Sequence, residues 1–283
     1  MTARVHDSRL CTLGEGPLWH PEREELFWFD ITAGRLLSRR GEAACEWNLG
    51  ECVSAAGWID ADTLLVASET ALLRFEIATG ATVRLAALEA DRPATRSNDG
   101  RADPFGGFWI GTMGKEAEPG AGAIYRYFEG ALERLFAGIT IPNSICFAPD
   151  GKLAYFADTA EGIIRRQRLD GAGWPRGAAE PFLDLAAEGL HPDGSVVDGE
   201  GALWNAQWGA GRIARYAPDG HLLGTFAVGG RNSSCPAFGG TDLSTIFVTT
   251  AREGLADAGP GDGPVYSLAP GPRGQREHRV RIV

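Results

Sequence analysis

The feature that most restricts this chain is a turn-and-strand unit that returns six times. The segments "REELFWFD", "ADTLLVAS", "GGFWIGTM", "GKLAYFAD", "GALWNAQW" and "LSTIFVTT" each set an apolar strand after a turn. Aligned on Leu26, Leu64, Phe108, Ala154, Leu203 and Ile246, they step by 38, 44, 46, 49 and 43 residues. Further strand-like segments follow them: "GRLLSRR", "TALLRFEI", "GAIYRYF", "GIIRRQRL", "GRIARYA" and "GPVYSLA". A repeat of about 44 residues made of short strands has the size of a four-stranded propeller blade, and neighbouring blades bury each other's faces. The sequence therefore predicts an all-β fold, a six-bladed β-propeller, with residues 1–283 forming a single domain. Trp19, Trp28, Trp109 and Trp204 are expected in the core between blades. "ARVHDS" and "HRVRIV", near the two ends, are candidates for the strands that close the ring.

Composition supports the same class. The 39 glycines and 16 prolines among 283 residues are dispersed, as many tight turns require. Two stretches, "AALEAD" at 86–91 and "DLAAEGL" at 184–190, could each make a helical turn or two, but neither sustains a helical period. A formal net charge of −10 with no basic cluster opposes binding to nucleic acid or to an anionic membrane, which leaves small molecules and cations as partners. The first residues lack the apolar segment of a secretory signal, and no run approaches membrane-spanning length, so a cytoplasmic protein is expected. Five cysteines, odd in number and without C-x-x-C spacing, predict free buried thiols rather than disulfides or structural zinc. There is no G-x-S-x-G, no P-loop and no G-x-G-x-x-G opening a helix, which argues against a serine hydrolase and against a nucleotide cofactor.

Ten or eleven residues before each aligned strand lies a loop expected to lead into the innermost strand of its blade. Four of these carry an acid or amide in nearly the same phase: Glu15, Asn98, Asn143 and Asp193. A lone Asn or Asp beside Gly or Pro is commonly just a turn former. Four in register on a sixfold repeat point instead to one end of a central channel, where equivalent positions converge. Crowded carboxylates and amides repel or waste hydrogen bonds unless a cation sits among them. An all-oxygen donor set suits a hard divalent ion, calcium first, with magnesium, manganese or zinc as substitutes.

The stretches "LGEGPLWHPEREELFWFDI", "RSNDGRADPFGGFWIGTMG", "IPNSICFAPDGKLAYFADT" and "PDGSVVDGEGALWNAQWGAGRIARYAPDG" together resemble the senescence-marker-protein/gluconolactonase family, which includes regucalcin and bacterial sugar lactonases. The resemblance covers nearly the whole chain. It implies a six-bladed propeller with one divalent metal ion at an end of the channel, held by Glu15, Asn143 and Asp193. Asn98 would lie beside the ion, and Arg96, Asn98 and Glu116 would contact substrate. Asp193 would also act as the base. In "GTMGKEAEPGAGAIYRY" a Gly-rich loop with Lys115 before Glu116 departs from better-known members. Asp99 either orients Asn98 or Arg96 or stabilises its own turn, and Asp158 and His191 are expected to be structural.

The implied reaction is hydrolysis of a sugar lactone to its aldonic acid. The metal would polarise the carbonyl and Asp193 would activate water. Two other readings compete: a paraoxonase-like hydrolase of aryl esters or phosphotriesters, and a non-enzymatic calcium-binding regulator. The Arg96-x-Asn98 pair favours a polyhydroxylated substrate and so ranks the lactonase first.

Overall fold

A computed structural model describes residues 2–282. Six four-stranded antiparallel sheets surround one axis. In blade 1 the strands run outward as Gly14–His20, Glu25–Asp30, Arg35–Arg40 and Ala43–Asn48. The second strand, "ELFWFD", is buried along its entire length, because both faces of a blade pack against neighbours, whereas the outermost strand is mostly exposed. The aligned apolar segments are thus the second strands of their blades. Innermost strands follow at Val53–Asp60, Thr95–Ala102, Pro142–Phe147, His191–Val197 and Asn232–Gly239.

Ring closure corrects half of the expectation. Arg4–Asp7, from "ARVHDS", pairs with Val265–Leu268 and completes the sheet of Thr245–Ala251 and Asn232–Gly239. "HRVRIV" forms no strand; its last residue, Val283, lies outside the described residues. Instead Val280 and Arg281 donate backbone hydrogen bonds to Trp58 and Gly106, and Val280 is fully buried between blades 2 and 3. Its fit depends on Gly57, where a Cβ would come within 2.5 Å of Val280.

Trp28, Trp109 and Trp204 are fully buried, whereas Trp19 is partly exposed and stacks on Phe247. Residues 184–190 contain one 3-10 turn, Ala186–Glu188, while 86–91 finish a strand and turn. All five cysteines are free; Cys11, Cys146 and Cys235 are buried, but Cys45 is exposed on an outermost strand and Cys52 is half-buried. Among the described residues no helix is long and apolar enough to cross a membrane.

One irregularity repeats in every blade. Toward its start the innermost strand breaks register with its neighbour, at 15/18, 53/55, 97/100, 143/146, 192/195 and 233/236, and blade 2 has a second break at 58/60. A bulge of this kind re-aims a side chain that the pleat would otherwise turn into the inter-blade core.

Candidate functional site

Glu15, Asn98, Asn143 and Asp193 all sit at these bulges, within the innermost strands and not in the loops before them. The correction has a physical reason: a bulge brings an acid onto the channel wall without ending the strand. At the corresponding register break, blades 2 and 6 carry Ser54 and Ser234, whose hydroxyls bond to Ser97 Oγ and to the Gly14 carbonyl and so seal blade seams.

Local chemistry shapes each bulge. Gly16 has φ +53°, and a Cβ there would meet the Ser54 carbonyl oxygen at 2.1 Å, which accounts for the second glycine of "GEGP". A Cβ on Gly194 would strike Cys235 Sγ at 2.2 Å, so blade 6 approaches Asp193 too closely for any other residue in "PDG". Ser144, itself at φ +60°, donates to the Asp193 carbonyl at 2.6 Å, and Asn205 Nδ2 reaches the same oxygen at 3.1 Å. The backbone of Asp193 is therefore held by two buried side chains.

Together these strands open a cavity of about 530 Å³ lined by Glu15, Arg96, Asn98, Glu116, Asn143 and Asp193. Arg96 Nη1 donates to Asn98 Oδ1 at 2.8 Å, while Asn98 Nδ2 donates to the Pro142 carbonyl at 3.0 Å and to Asn143 Oδ1 at 3.1 Å. Those partners fix the orientation of the Asn98 amide, with its oxygen committed to Arg96. Asn98 thus orients its neighbours. Asn143 Nδ2 donates to Thr159 Oγ1 at 2.8 Å, and that hydroxyl donates to the Pro192 carbonyl at 2.7 Å, so the Asn143 oxygen is the end turned toward Asn98 and the cavity.

Glu15 and Asp193 are buried, and among the described residues neither has a cationic side chain in salt-bridge contact. Burial, and then the charge of Asp99, push Glu15 up to about 8. Burial, Glu15 and Asp99 raise Asp193 well above the usual carboxylate range. Two carboxylates that disfavour each other's charge, next to an oriented amide oxygen, form a donor set that fits a hard divalent cation. Among the described residues no three Asp, Glu, His or Cys side chains cluster as a metal site by themselves, so an ion here depends on the amide oxygen.

Other expected residues divide. Glu116 is exposed on the cavity rim, in the loop after Phe108–Gly114. Lys115, also on the rim, pairs with Glu69 of blade 2. Asp99 Oδ2 accepts the Ile145 N–H at 2.7 Å and ties blade 3 to blade 4, and the neighbouring Gly100 backbone also bonds its carboxylate. Asp158 accepts backbone N–H groups of Thr140, Ile141 and Ala160, the structural role expected. His191 departs from expectation: it is exposed and lines the cavity mouth. The sequence reading missed Thr159, Asn205, Trp208 and Glu253. Thr159 directly follows Asp158 in "FADT", but nothing in its spacing marks it as a partner of Asn143.

Comparison with known proteins gives the family. The family model described as SMP-30/gluconolactonase/LRE-like region matches residues 13–252. An L-arabinolactonase of Azospirillum brasilense is 38% identical, over 89% of this chain and 85% of its own length. A pentonolactonase of Haloferax volcanii is 34% identical, over 99% and 98%. The crystal structure of a calcium-binding protein, regucalcin, from Agrobacterium tumefaciens superposes with a TM-score of 0.97 at 41% identity, covering 99% of this chain and 97% of that one. With its sixfold fold, its bulge-borne acids and a match from blade 1 into blade 6, the chain belongs to the SMP-30/gluconolactonase/LRE-like family.

Proposed function

We propose that the protein hydrolyses sugar lactones to aldonic acids, using a divalent cation held by Glu15, Asn143 and Asp193. One observation carries the reading: two buried carboxylates, with no salt-bridge partner among the described residues, open onto a cavity beside an Arg96–Asn98 pair suited to hydroxyl groups. Relatives named as lactonases of pentoses and of arabinose support the substrate class. Calcium is the first ion to test, given the oxygen donors and a neighbour described as calcium-binding; magnesium, manganese and zinc follow.

The bound ion supplies Lewis-acid polarisation of the lactone carbonyl. Asp193 accepts the proton of the attacking water, and the grip of Ser144 and Asn205 on its backbone keeps its carboxylate in place. Arg96 donates to ring hydroxyls with the N–H groups not used on Asn98 and Ser97, and Glu116 accepts from hydroxyls at the rim. Leu13, Met113, Ile141 and Trp208 form an apolar wall against the C–H edges of the sugar.

The test is proton release from glucono- and pentonolactones by chelator-stripped protein resupplied with one ion at a time, spontaneous opening subtracted. Turnover lost to chelator and restored by ion is expected. At saturating ion, Asp193→Ala should lower the rate at least ~10²-fold; full turnover in that variant removes Asp193 from the role of base. An aryl phosphotriester hydrolysed faster than any lactone replaces the lactonase reading, and ion binding without turnover of any ester leaves a regulator.

A further inference from the structure

We propose that Glu253, together with Arg96, holds one hydroxyl of the sugar lactone and so selects substrates that carry it; this rests on the lactonase reading above. Blade 6 offers only Ser234 where blades 1 and 5 offer carboxylates. Its acid arrives from elsewhere, two residues beyond the second strand, Thr245–Ala251, at the seam where Ala251 bridges to Leu13 of blade 1. The backbone of Glu253 is pinned at both ends: its N–H donates to the Thr12 carbonyl at 2.9 Å, and its carbonyl accepts from the buried Asn232 Nδ2 at 2.9 Å. The residue lines the same cavity as Arg96.

Of the charges acting on Arg96, that of Glu253 is the largest, ahead of Glu15 and Asp193. Yet the two are not in salt-bridge contact, since Arg96 Nη1 is turned to Asn98 and to the Ser97 carbonyl. Among the described residues the Glu253 carboxylate has no hydrogen-bond partner. The Glu253 side chain is exposed at the cavity mouth, where partial desolvation raises it above the ordinary carboxylate value and the Arg96 charge opposes the rise. Arg96, held by Asn98, and Glu253, held through its backbone, thus line one cavity without pairing with each other. A hydroxyl satisfies both at once, its oxygen accepting from the guanidinium and its proton donated to the carboxylate. An ammonium would be repelled by Arg96 and a second carboxylate by Glu253, so a neutral polyol is the matching ligand.

The experiment compares wild type, Glu253→Ala and Glu253→Gln, each checked for an unchanged Tm, in two assays. Turnover is measured on glucono-δ-lactone and on δ-valerolactone, which bears no ring hydroxyl. Calorimetry measures binding of D-gluconate and of 5-hydroxypentanoate without turnover. Glu253→Ala should raise KM for gluconolactone and weaken gluconate binding ~10- to 100-fold, with valerolactone kinetics unchanged. Glu253→Gln, which keeps an acceptor oxygen, should lose less. Equal losses on both lactones, unaltered gluconate binding in Glu253→Ala, or no gluconate binding to wild type overturns the proposal. Wild type that opens no lactone but binds gluconate through Glu253 sinks the lactonase reading and leaves the hydroxyl clamp standing.

Discussion

Asn98 Nδ2 donates to Asn143 Oδ1 at 3.1 Å across the seam between blades 3 and 4, and Asn143 Nδ2 passes the chain on to Thr159 at 2.8 Å. The relay decides which end of the Asn143 amide faces the cavity. Partners of this kind govern ion affinity through the ligand they orient. Thr159→Val, which keeps the shape and removes the acceptor, should therefore weaken calcium binding by about 10-fold or more while leaving Tm nearly unchanged, and Thr159→Ser should restore it. Calorimetric calcium affinities decide the matter; a Thr159→Val protein with wild-type affinity shows that the amide needs no such guide.

The acidity of Glu15 sets a pH dependence with a definite sign. Its ordinary value is 4.5, and in the folded protein burial and Asp99 move it to about 8. Between those values the folded chain holds a proton that the unfolded chain has released, so stability falls as pH rises. Chelator-treated protein should lose Tm from pH 5 to pH 8, and Glu15→Gln should flatten part of that slope. Excess calcium should abolish the loss and release protons on binding near pH 7. A flat profile in chelator contradicts the assignment.

The sixfold architecture was readable because each blade needs one strand buried on both faces, and segments such as "ELFWFD" and "FWIGTMG" meet that need with continuous apolar runs. Glu15, Asn98, Asn143 and Asp193 stood out because each lies ten or eleven residues before the aligned strand of its blade. Their setting did not. A bulge shifts one residue across the pleat and leaves no compositional trace, so strand residues looked like loop residues. Glu253 was invisible for another reason: it lies outside the phase that marked the other four, and only closure of blade 6 onto blade 1 brings it to the cavity that Arg96 lines. "HRVRIV" has the alternation of a strand, yet Arg4–Asp7 already fills the edge it would have taken.

The glycine after Glu15 separates backbone strain from crowding. Gly16 and Gly41 have nearly the same φ, +53° and +57°, but a Cβ on Gly41 meets nothing within 4 Å, whereas one on Gly16 meets the Ser54 carbonyl at 2.1 Å. Gly41→Ala should cost only the left-handed penalty, about 1 kcal/mol. Gly16→Ala should cost at least about 2 kcal/mol more, because a carbonyl inside a blade cannot step aside. It should also weaken calcium binding, since the Gly16 N–H that bonds Glu15 Oε2 must move. Urea titrations of the two variants give the comparison; equal costs refute the crowding.

The end of the channel opposite the site is closed by the C-terminal segment, and its closure depends on a buried charge pair. Gln275 Nε2 donates to the Phe147 and Val197 carbonyls, at the far ends of two innermost strands, and Trp58 Nε1 donates to the Glu277 carbonyl at 2.9 Å. These contacts bring the Glu277 carboxylate onto Arg101, itself buried three residues beyond Asn98. Removing one partner strands the other charge away from water, which costs more than the pair contributes. Glu277→Ala should therefore lose about 3–5 kcal/mol, while Arg101→Met with Glu277→Leu should recover most of it, since apolar contact replaces two desolvated charges. If chemical denaturation gives the double variant the same deficit as the single one, the loss does not come from a stranded charge, and the ion pair itself stabilises the segment.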